Sequence, residues 1–293
     1  WNASRFVMMN LGDGELQPVD MSITDVADKW ILHRLNEVAE AVTANLDSFD
    51  LNLAVDKIYS FIWTEFCDWY IEMAKPRLYG EDEAQKANVR AILVHVLKNS
   101  MKLLHPFMPF ITEELWQHIY DRKEGESLMV QQLNIPTACN EIIVKEFEVA
   151  KEVIGGIRTI RLQKNIAQKE TLELQVVGVN PVATFNPVIT KLCNLSSIEA
   201  VENKADGSGS FMIGTTEYAI PLGNLINTEE ELAKLEADLK YQEGFLQSVL
   251  KKLSNEKFVS KAPANVIDME RKKQADAESK IASLKESIAA LKK

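Results

Sequence analysis

Apolar residues between positions 25 and 119 recur at spacings of three and four, the period of helices with one buried face. Together with a short amphipathic segment at the start, this pattern predicts five helices with short connections, which form an antiparallel bundle. The predicted helices cover residues 1–11, 25–46, 51–73, 83–104 and a last stretch that begins at Pro109. The segment 51–73 is so rich in aromatic residues that we expect it at the centre of the bundle.

A different pattern follows Pro136, where helical periodicity gives way to alternation of apolar and polar residues. Predicted helices cover residues 141–163 and 186–192, and predicted strands lie at 172–177 and near 197–201, 210–213 and 218–220. We therefore expect a helical bundle at residues 1–135 and a small α/β module at residues 136–225.

The end of the chain repeats apolar residues at alternating spacings of three and four, which is the a/d seam of a coiled coil. One seam runs from Leu232 to Leu253, and a second runs from Ile267 to Leu291. Between them, Pro263 would break a continuous helix but suits the first turn of a new one. We predict an antiparallel coiled-coil arm at residues 226–293, so that the fold class is mainly α.

Charge is unevenly distributed along this chain, whose net charge is −10. Seven cations and only three acids lie between Lys251 and Lys273. The cations are Lys251, Lys252, Lys257, Lys261, Arg271, Lys272 and Lys273. Two interpretations fit: a solvated coiled-coil surface, or a basic tip that contacts phosphates. The pattern leaves both open.

Composition argues against a membrane-spanning or a secreted, disulfide-bonded protein. No apolar run approaches the ~20 residues of a membrane span. The three cysteines are widely separated, with neither metal-ligand spacing nor a disulfide framework, which fits a reducing compartment. We find no secretory signal, and the chain opens on Trp1 in a helical pattern. We therefore expect a cytoplasmic protein and a piece of a longer chain.

Catalytic chemistry is not predicted. None of the four histidines shares a local pattern with a cysteine or a carboxylate pair at ligand spacing. The Gly155-Gly156 pair lacks the flanking residues of a phosphate-binding loop. We expect no catalytic residue, no metal site and no cofactor in these residues.

The neighbours Arg5 and Phe6 offer a guanidinium and an aromatic ring, the two groups that stack on unpaired bases. From the spacing alone, a Phe6 that packs in the core beside a surface Arg5 is the favoured alternative. Both interpretations stay open from the residues themselves.

Three motifs carry a resemblance: Trp1-Asn2-Ala3-Ser4-Arg5-Phe6, Phe66-Cys67-Asp68-Trp69-Tyr70-Ile71-Glu72, and the stretch from Leu104 to Trp116. Together they resemble the anticodon-binding bundle of class I aminoacyl-tRNA synthetases for branched aliphatic amino acids. The stretch from Leu253 to Pro263 is similar to the tip of the C-terminal arm in bacterial valyl-tRNA synthetases.

This resemblance implies a protein whose full-length form attaches valine to tRNA(Val) with ATP and Mg²⁺. The family's His-Ile-Gly-His and Lys-Met-Ser-Lys-Ser signatures are absent from the 293 residues, so we expect tRNA binding without catalysis. The expected state is a monomer without membrane or DNA partners.

The resemblance also implies two contact sites. Asn2, Arg5 and Phe6 would contact anticodon bases, and the arm would rest on the outer corner of the tRNA, where the D and T loops meet. The implied corner contacts are Lys251, Lys252, Lys257, Phe258, Lys261, Arg271, Lys272 and Lys273.

One alternative belongs to another class of function. A helical bundle with a coiled-coil arm could serve as a protein-interaction module that docks a partner helix. That hypothesis predicts an exposed apolar groove and binding that does not depend on salt.

Overall fold

A computed structural model describes residues 1–12, 16–119, 122–133, 141–223, 228–254 and 264–291. The chain forms two compact units, Trp1–Pro221 and Leu222–Lys293. None of the helices in the described ranges is long and apolar enough to cross a membrane.

Helices make up most of the first unit. They are α1 (Asn2–Met9), α2 (Val26–Asp47), α3 (Leu51–Ser60), a π-helical segment (Phe61–Tyr70), α4 (Ile71–Leu78), α5 (Glu83–Leu104), α6 (Pro109–Ile119), α7 (Glu141–Gln163) and α8 (Asn186–Cys193), with 3-10 turns at Leu128–Val130 and Ala183–Phe185. Their ends follow from local chemistry: Asp25 and Asp28 form a reciprocal cap on α2, and Asp82 accepts from two backbone amides at the start of α5. The predicted helical bundle with an α/β module is confirmed.

The aromatic segment, expected at the centre of the bundle, faces the core on one side only. Ten of its residues are π-helical, and its apolar positions lie on two sides. Ile58, Phe61, Phe66 and Tyr70 are buried. Leu51, Val55, Tyr59 and Trp63 form an exposed apolar stripe, with Tyr59 and Trp63 60% and 59% exposed. The segment has more apolar residues than one buried helical face accommodates.

Helix α7 joins the bundle to the sheet. Its Phe147 lies with its ring centroid 4.1 Å from that of Trp30 on α2, 5.5 Å from that of Trp69 and 5.2 Å from that of Phe185. Side chains on both sides of position 136 therefore share one core. The predicted boundary there stays a prediction.

The sheet has four strands: β1 (Leu172–Val177), β2 (Leu195–Val201), β3 (Ser208–Ile213) and β4 (Thr216–Pro221), in the order β2-β1-β4-β3. Strand β1 pairs in parallel with β2 and antiparallel with β4, and β3 pairs antiparallel with β4. Helix α8 makes the crossover that the parallel pair requires. Against α7, the sheet comes so close that a Cβ on Gly156 would lie 2.2 Å from Phe211 Cε2.

The second unit consists of α9 (Thr228–Leu253) and α10 (Ala264–Leu291), which contact each other. Glu243 pairs with Lys285 at 3.0 Å, and Lys252 lies 3.7 Å from Glu270, so the two helices run antiparallel. Buried residues of the predicted seams are Val249, Ala277 and Ile281. Most of the predicted turn, residues 255–263, lies outside the described residues.

Candidate nucleic-acid interface

The first candidate surface is α1, which buries Ser4 and Val7 and contacts α5. Asn2, Arg5 and Phe6 are spaced i, i+3 and i+4, so they share one helical face. Asn2 and Arg5 are exposed, whereas Phe6 is half-buried and has Lys75 Nζ 5.9 Å from its ring centroid. The structure thus brings the three predicted base contacts together and leaves Phe6 outside the buried core.

A buried ionic network positions Lys75 by anchoring α4. The fully buried Asp28 accepts hydrogen bonds from the Tyr70 hydroxyl at 2.7 Å and from Arg77 Nη2 at 2.7 Å, and it also pairs with Arg77 Nη1. Arg77 Nε lies 3.1 Å from Asp25. Burial, followed by the charge of Asp28, raises the pKa of Tyr70, so the hydroxyl stays a donor. The end of α4 is therefore fixed against the start of α2.

Beside α1 lies a groove that sequence reasoning did not find. This α4–α7–α8 groove has a volume of about 880 Å³ and is lined by residues from the π-helical segment, α4, α7 and α8. Its aromatic and cationic lining residues are Trp69, Lys75, Tyr79, Arg158 and Lys191, and its acids are Asp68 and Glu72. Arg158 Cζ lies 6.0 Å from the ring centroid of Trp69. No local spacing could have predicted this groove, because its members are far apart in the chain.

A buried arginine fixes the wall of the groove that α7 and α8 form. Arg161 is 2% exposed and donates to the carbonyls of Ala167 at 2.9 Å, Glu170 at 2.8 Å and Cys193 at 2.8 Å. Burial lowers the pKa of Arg161. Since these carbonyls include the last residue of α8, Arg161 connects the end of α7 to the end of α8. Its role is structural, whereas Arg158, one turn earlier, is exposed.

The second candidate surface is at one end of the helix pair α9–α10. Lys251, Lys252, Arg271, Lys272 and Lys273 are exposed, and the Lys252–Glu270 contact brings the last turn of α9 to the start of α10. The remaining predicted contacts, Lys257, Phe258 and Lys261, lie outside the described residues.

Within that basic end, one acid occupies the helix–helix seam. Glu270 is 6% exposed, and Lys273 donates to it at 2.7 Å. This hydrogen bond and the nearby Lys252 lower the pKa of Glu270. Two of the predicted phosphate contacts, Lys252 and Lys273, are thus also ion-pair partners inside the arm.

A further basic cluster, also missed from the sequence, surrounds Trp116. Arg122 Cζ lies 3.9 Å from its ring centroid, and the ammonium groups of Lys98 and Lys102 lie 5.5 Å and 6.0 Å away. Burial lowers the pKa of both lysines. The described part of the chain contains no cluster of three His, Cys, Asp or Glu side chains that could hold a metal ion.

Comparison of the sequence with protein families gives two matches. Residues 28–176 match the family described as the anticodon-binding domain of tRNA ligase. Since the match covers half of the chain, the chain belongs to this family of anticodon-binding domains. Residues 227–292 match the family described as the valyl tRNA synthetase tRNA binding arm.

Curated relatives agree with both matches. A valine–tRNA ligase of Phocaeicola vulgatus is 75% identical over 293 residues, and one of Bacteroides thetaiotaomicron is 56% identical over 295 residues. Each alignment covers 100% of this chain and 33% of the relative. A valine–tRNA ligase of Bacillus cereus is 40% identical over 305 residues, with 34% of its length covered. The chain therefore spans about a third of the relatives' length, and the resemblance inferred from the motifs is confirmed.

Proposed function

We propose that this chain binds tRNA(Val) through two surfaces, with α1 at the anticodon loop and the α9–α10 arm at the outer corner of the tRNA. The observation that carries the proposal is the presence of both matches in one chain, anticodon-binding domain first and tRNA-binding arm second. Full-length relatives are named valine–tRNA ligases. We infer that the attachment of valine, with ATP and Mg²⁺, uses residues of the full-length protein beyond these 293. We also propose that the protein acts in the cytoplasm and as a monomer.

The geometry of α1 supports base contact. The Arg5 guanidinium is exposed, and the half-buried Phe6 ring is accessible on one side while Val7 anchors the helix. A ring fixed in this way can stack on an unpaired base without first being ordered, which reduces the entropic cost of binding. Asn2, on the same face, adds both a donor and an acceptor for a base edge.

The arm supports a different kind of contact. We propose that α9 and α10 form an antiparallel coiled coil, because buried Val249, Ala277 and Ile281 fall on the predicted seam. In such a pair, Lys251, Arg271 and Lys272 are not needed for packing, whereas Lys252 and Lys273 also pair with Glu270 in the seam. The exposed side chains at positions 251, 252 and 271–273 can therefore meet phosphates. Lys257, Phe258 and Lys261 complete the proposed contact set.

Phe6→Ala tests the α1 surface. Loss of one stacked base should weaken tRNA(Val) binding by about 1–3 kcal/mol. Because Phe6 is only half-buried, the melting temperature should change little. The matched control is Phe110→Ala, which removes a phenylalanine that is 91% exposed on another helix. Equal affinities of the two variants, measured by fluorescence anisotropy with labelled tRNA(Val), would contradict the proposed stacking.

A protein-interaction module is the second candidate, and the exposed stripe Leu51, Val55, Tyr59 and Trp63 favours it. The Tyr59 and Trp63 rings stack with centroids 6.0 Å apart and present apolar area to a partner. A salt titration separates the candidates, because phosphate contacts make binding steeply salt-dependent and apolar docking does not. Absence of salt-dependent tRNA binding would favour the module.

A further inference from the structure

A small cavity adjoins the basic cluster around Trp116 and has no role in the two surfaces proposed above. It has a volume of about 260 Å³, and residues 16–19 and α5 line it, with Lys98 belonging both to the cavity and to the cluster. We propose that cavity and cluster together form a modification site, at which an acyl phosphate transfers a short acyl group to Lys98. The proposal goes beyond RNA binding and does not depend on it.

The charges of the cluster suit the phosphate of such a reagent. Arg122 Cζ lies 3.9 Å from the ring centroid of Trp116, and the ammonium groups of Lys98 and Lys102 lie 5.5 Å and 6.0 Å from it. All three side chains are half-buried, so salt screens their charges less than it screens charges on an open surface. Lys102 and Arg122 can therefore hold the phosphate while Lys98 takes part in the reaction.

Lys98 has the surroundings of a nucleophilic amine. Burial, followed by the charge of Arg122, lowers its pKa, so a larger fraction of this amine is neutral than of an exposed lysine at the same pH. His95, which also lines the cavity, lies one turn earlier on α5. Burial, followed by the charges of Lys98 and Lys102, lowers the pKa of His95 and keeps its imidazole neutral.

The cavity itself suits a short acyl chain. Its apolar lining residues are Leu16, Pro18, Val19, Ala91 and Val94. The cavity is smaller than sites that hold drug-sized ligands, so it has room for a chain of only a few carbons. The wall next to residues 16–19 is anchored, because the Asn88 side chain donates to the Asp20 carbonyl at 3.0 Å and accepts from the Asp20 N–H at 2.8 Å. The cavity is therefore preformed.

The reaction is an acyl transfer from a mixed anhydride to an amine. The lone pair of Lys98 Nζ forms a bond to the acyl carbon, and the bond from that carbon to the bridging oxygen breaks. The phosphate leaves with this electron pair and takes one proton from the amine, so that hydrogen phosphate is released. Lys102 and Arg122 stabilise the charge that collects on the leaving group. The product is a neutral amide, and the cluster loses one of its three charges.

The test uses the 293-residue chain and acetyl phosphate, and mass spectrometry measures the rate of acetylation at each lysine. The rate at Lys98 should exceed that at Lys57 and Lys123, which are exposed lysines outside the cluster, by about tenfold or more, equivalent to about 1.4 kcal/mol. Inorganic phosphate should slow the reaction at Lys98 and not at Lys57, because it competes for the cations. Equal rates at the three lysines, or no effect of phosphate at Lys98, would overturn the proposal.

A second reagent separates phosphate binding from the reactivity of the amine alone. N-hydroxysuccinimidyl acetate carries the same acyl group without a phosphate, so its preference for Lys98 over Lys57 should be smaller than that of acetyl phosphate. If both reagents show the same preference, the cluster holds no phosphate and the proposal fails.

Lys102→Gln tests the cluster directly. Since Lys and Gln have similar helix propensity, α5 should keep its helicity, which circular dichroism checks. The rate at Lys98 with acetyl phosphate should fall towards that at Lys57. The matched control is Lys86→Gln, which removes a lysine from the same helix outside the cavity and the cluster and should leave the rate at Lys98 unchanged. A folded Lys102→Gln chain that reacts at Lys98 as fast as the wild type would refute the proposal. If this variant does not fold, the competition by phosphate in the wild type decides.

Discussion

The two units of this protein differ in where their charged side chains lie. In Trp1–Pro221, ionic groups are taken into the interior, where Asp28 is fully buried between Arg77 and Tyr70. In Leu222–Lys293, charges lie on the outside of two long helices, and Glu270 in the seam is the exception among the described residues. Buried pairs fix geometry, and exposed cations attract phosphates at long range. The first unit is therefore suited to shape-specific contact, and the second to salt-dependent contact.

The largest expected effect comes from breaking the buried network. Asp28→Ala leaves the Arg77 guanidinium without its main partner in a water-poor site, which should lower the free energy of unfolding by about 3–5 kcal/mol. Denaturant unfolding followed by Trp fluorescence measures this loss. Asp56→Ala, which removes an exposed carboxylate from α3, is the control and should change little.

Asp28→Ala also tests whether the stability of the second unit depends on the first. Hydrogen exchange should show lost protection in α2 and α4 and unchanged protection in α9 and α10, because the two units are compact by themselves. Equal loss in both would mean that the second unit depends on the first for its stability.

The next effect concerns the contact between α7 and the sheet. Gly155 and Gly156 are neighbours in one helix, so replacing either by Ala gains the same helix propensity, about 1 kcal/mol. A Cβ on Gly155 meets nothing within 4 Å, whereas one on Gly156 collides with the Phe211 ring. Gly156→Ala should therefore be less stable than Gly155→Ala by about 1–3 kcal/mol. Equal melting temperatures would refute this packing.

Particular elements show how much of the fold could be predicted from the sequence. Helix α5 was predicted at its observed bounds, because the Asp82 cap marks its start and Pro106 follows its end. The π-helical segment was not, since periodicity encodes no i→i+5 bonding and the segment has apolar residues on two sides. In the arm, Val249 was predicted in the seam, but the buried Glu270 was missed because the seam was read from apolar residues.

The candidate sites divide in the same way. Asn2, Arg5 and Phe6 are close in sequence, so one helical face was enough to group them. The groove was missed because Lys75, Arg158 and Lys191 come together only when α4, α7 and α8 pack. Tertiary packing of this kind leaves no local pattern.

A smaller effect is expected at the basic end of the arm. Among the residues with described structure, Lys251 and Lys272 are exposed and have no ion-pair partner. If each meets a phosphate, Lys251→Gln/Lys272→Gln should lower the salt slope of tRNA(Val) binding by about 1.4 to 1.8. Helicity should not change, because Lys and Gln have similar helix propensity.

The control for that variant lies on the same helices. Lys240→Gln/Lys280→Gln removes equal charge from exposed positions farther from the basic end. If both double variants lower the slope equally, the arm acts as a uniformly charged surface and has no specific tip. If neither double variant changes the slope, the cations only form a solvated surface of the arm.

The smallest effect is a pH dependence inside the arm. Because the pKa of Glu270 is lowered from its ordinary 4.5 by the hydrogen bond from Lys273, its contribution to stability is complete above pH 4.5. That contribution is lost as the pH falls through the lowered value, since protonation removes the charge that holds Lys252 and Lys273. Hydrogen exchange of α9 and α10, corrected for intrinsic rates, should therefore show weaker protection at pH 3 than at pH 6, and Glu270→Gln should reduce this difference. Asp276→Asn, an exposed acid on the same helix, should not. If the arm with Glu270→Gln keeps the pH dependence of the wild type, the buried carboxylate does not stabilise the helix pair. Buried charge would then contribute to stability in the first unit and not at Glu270 in the second.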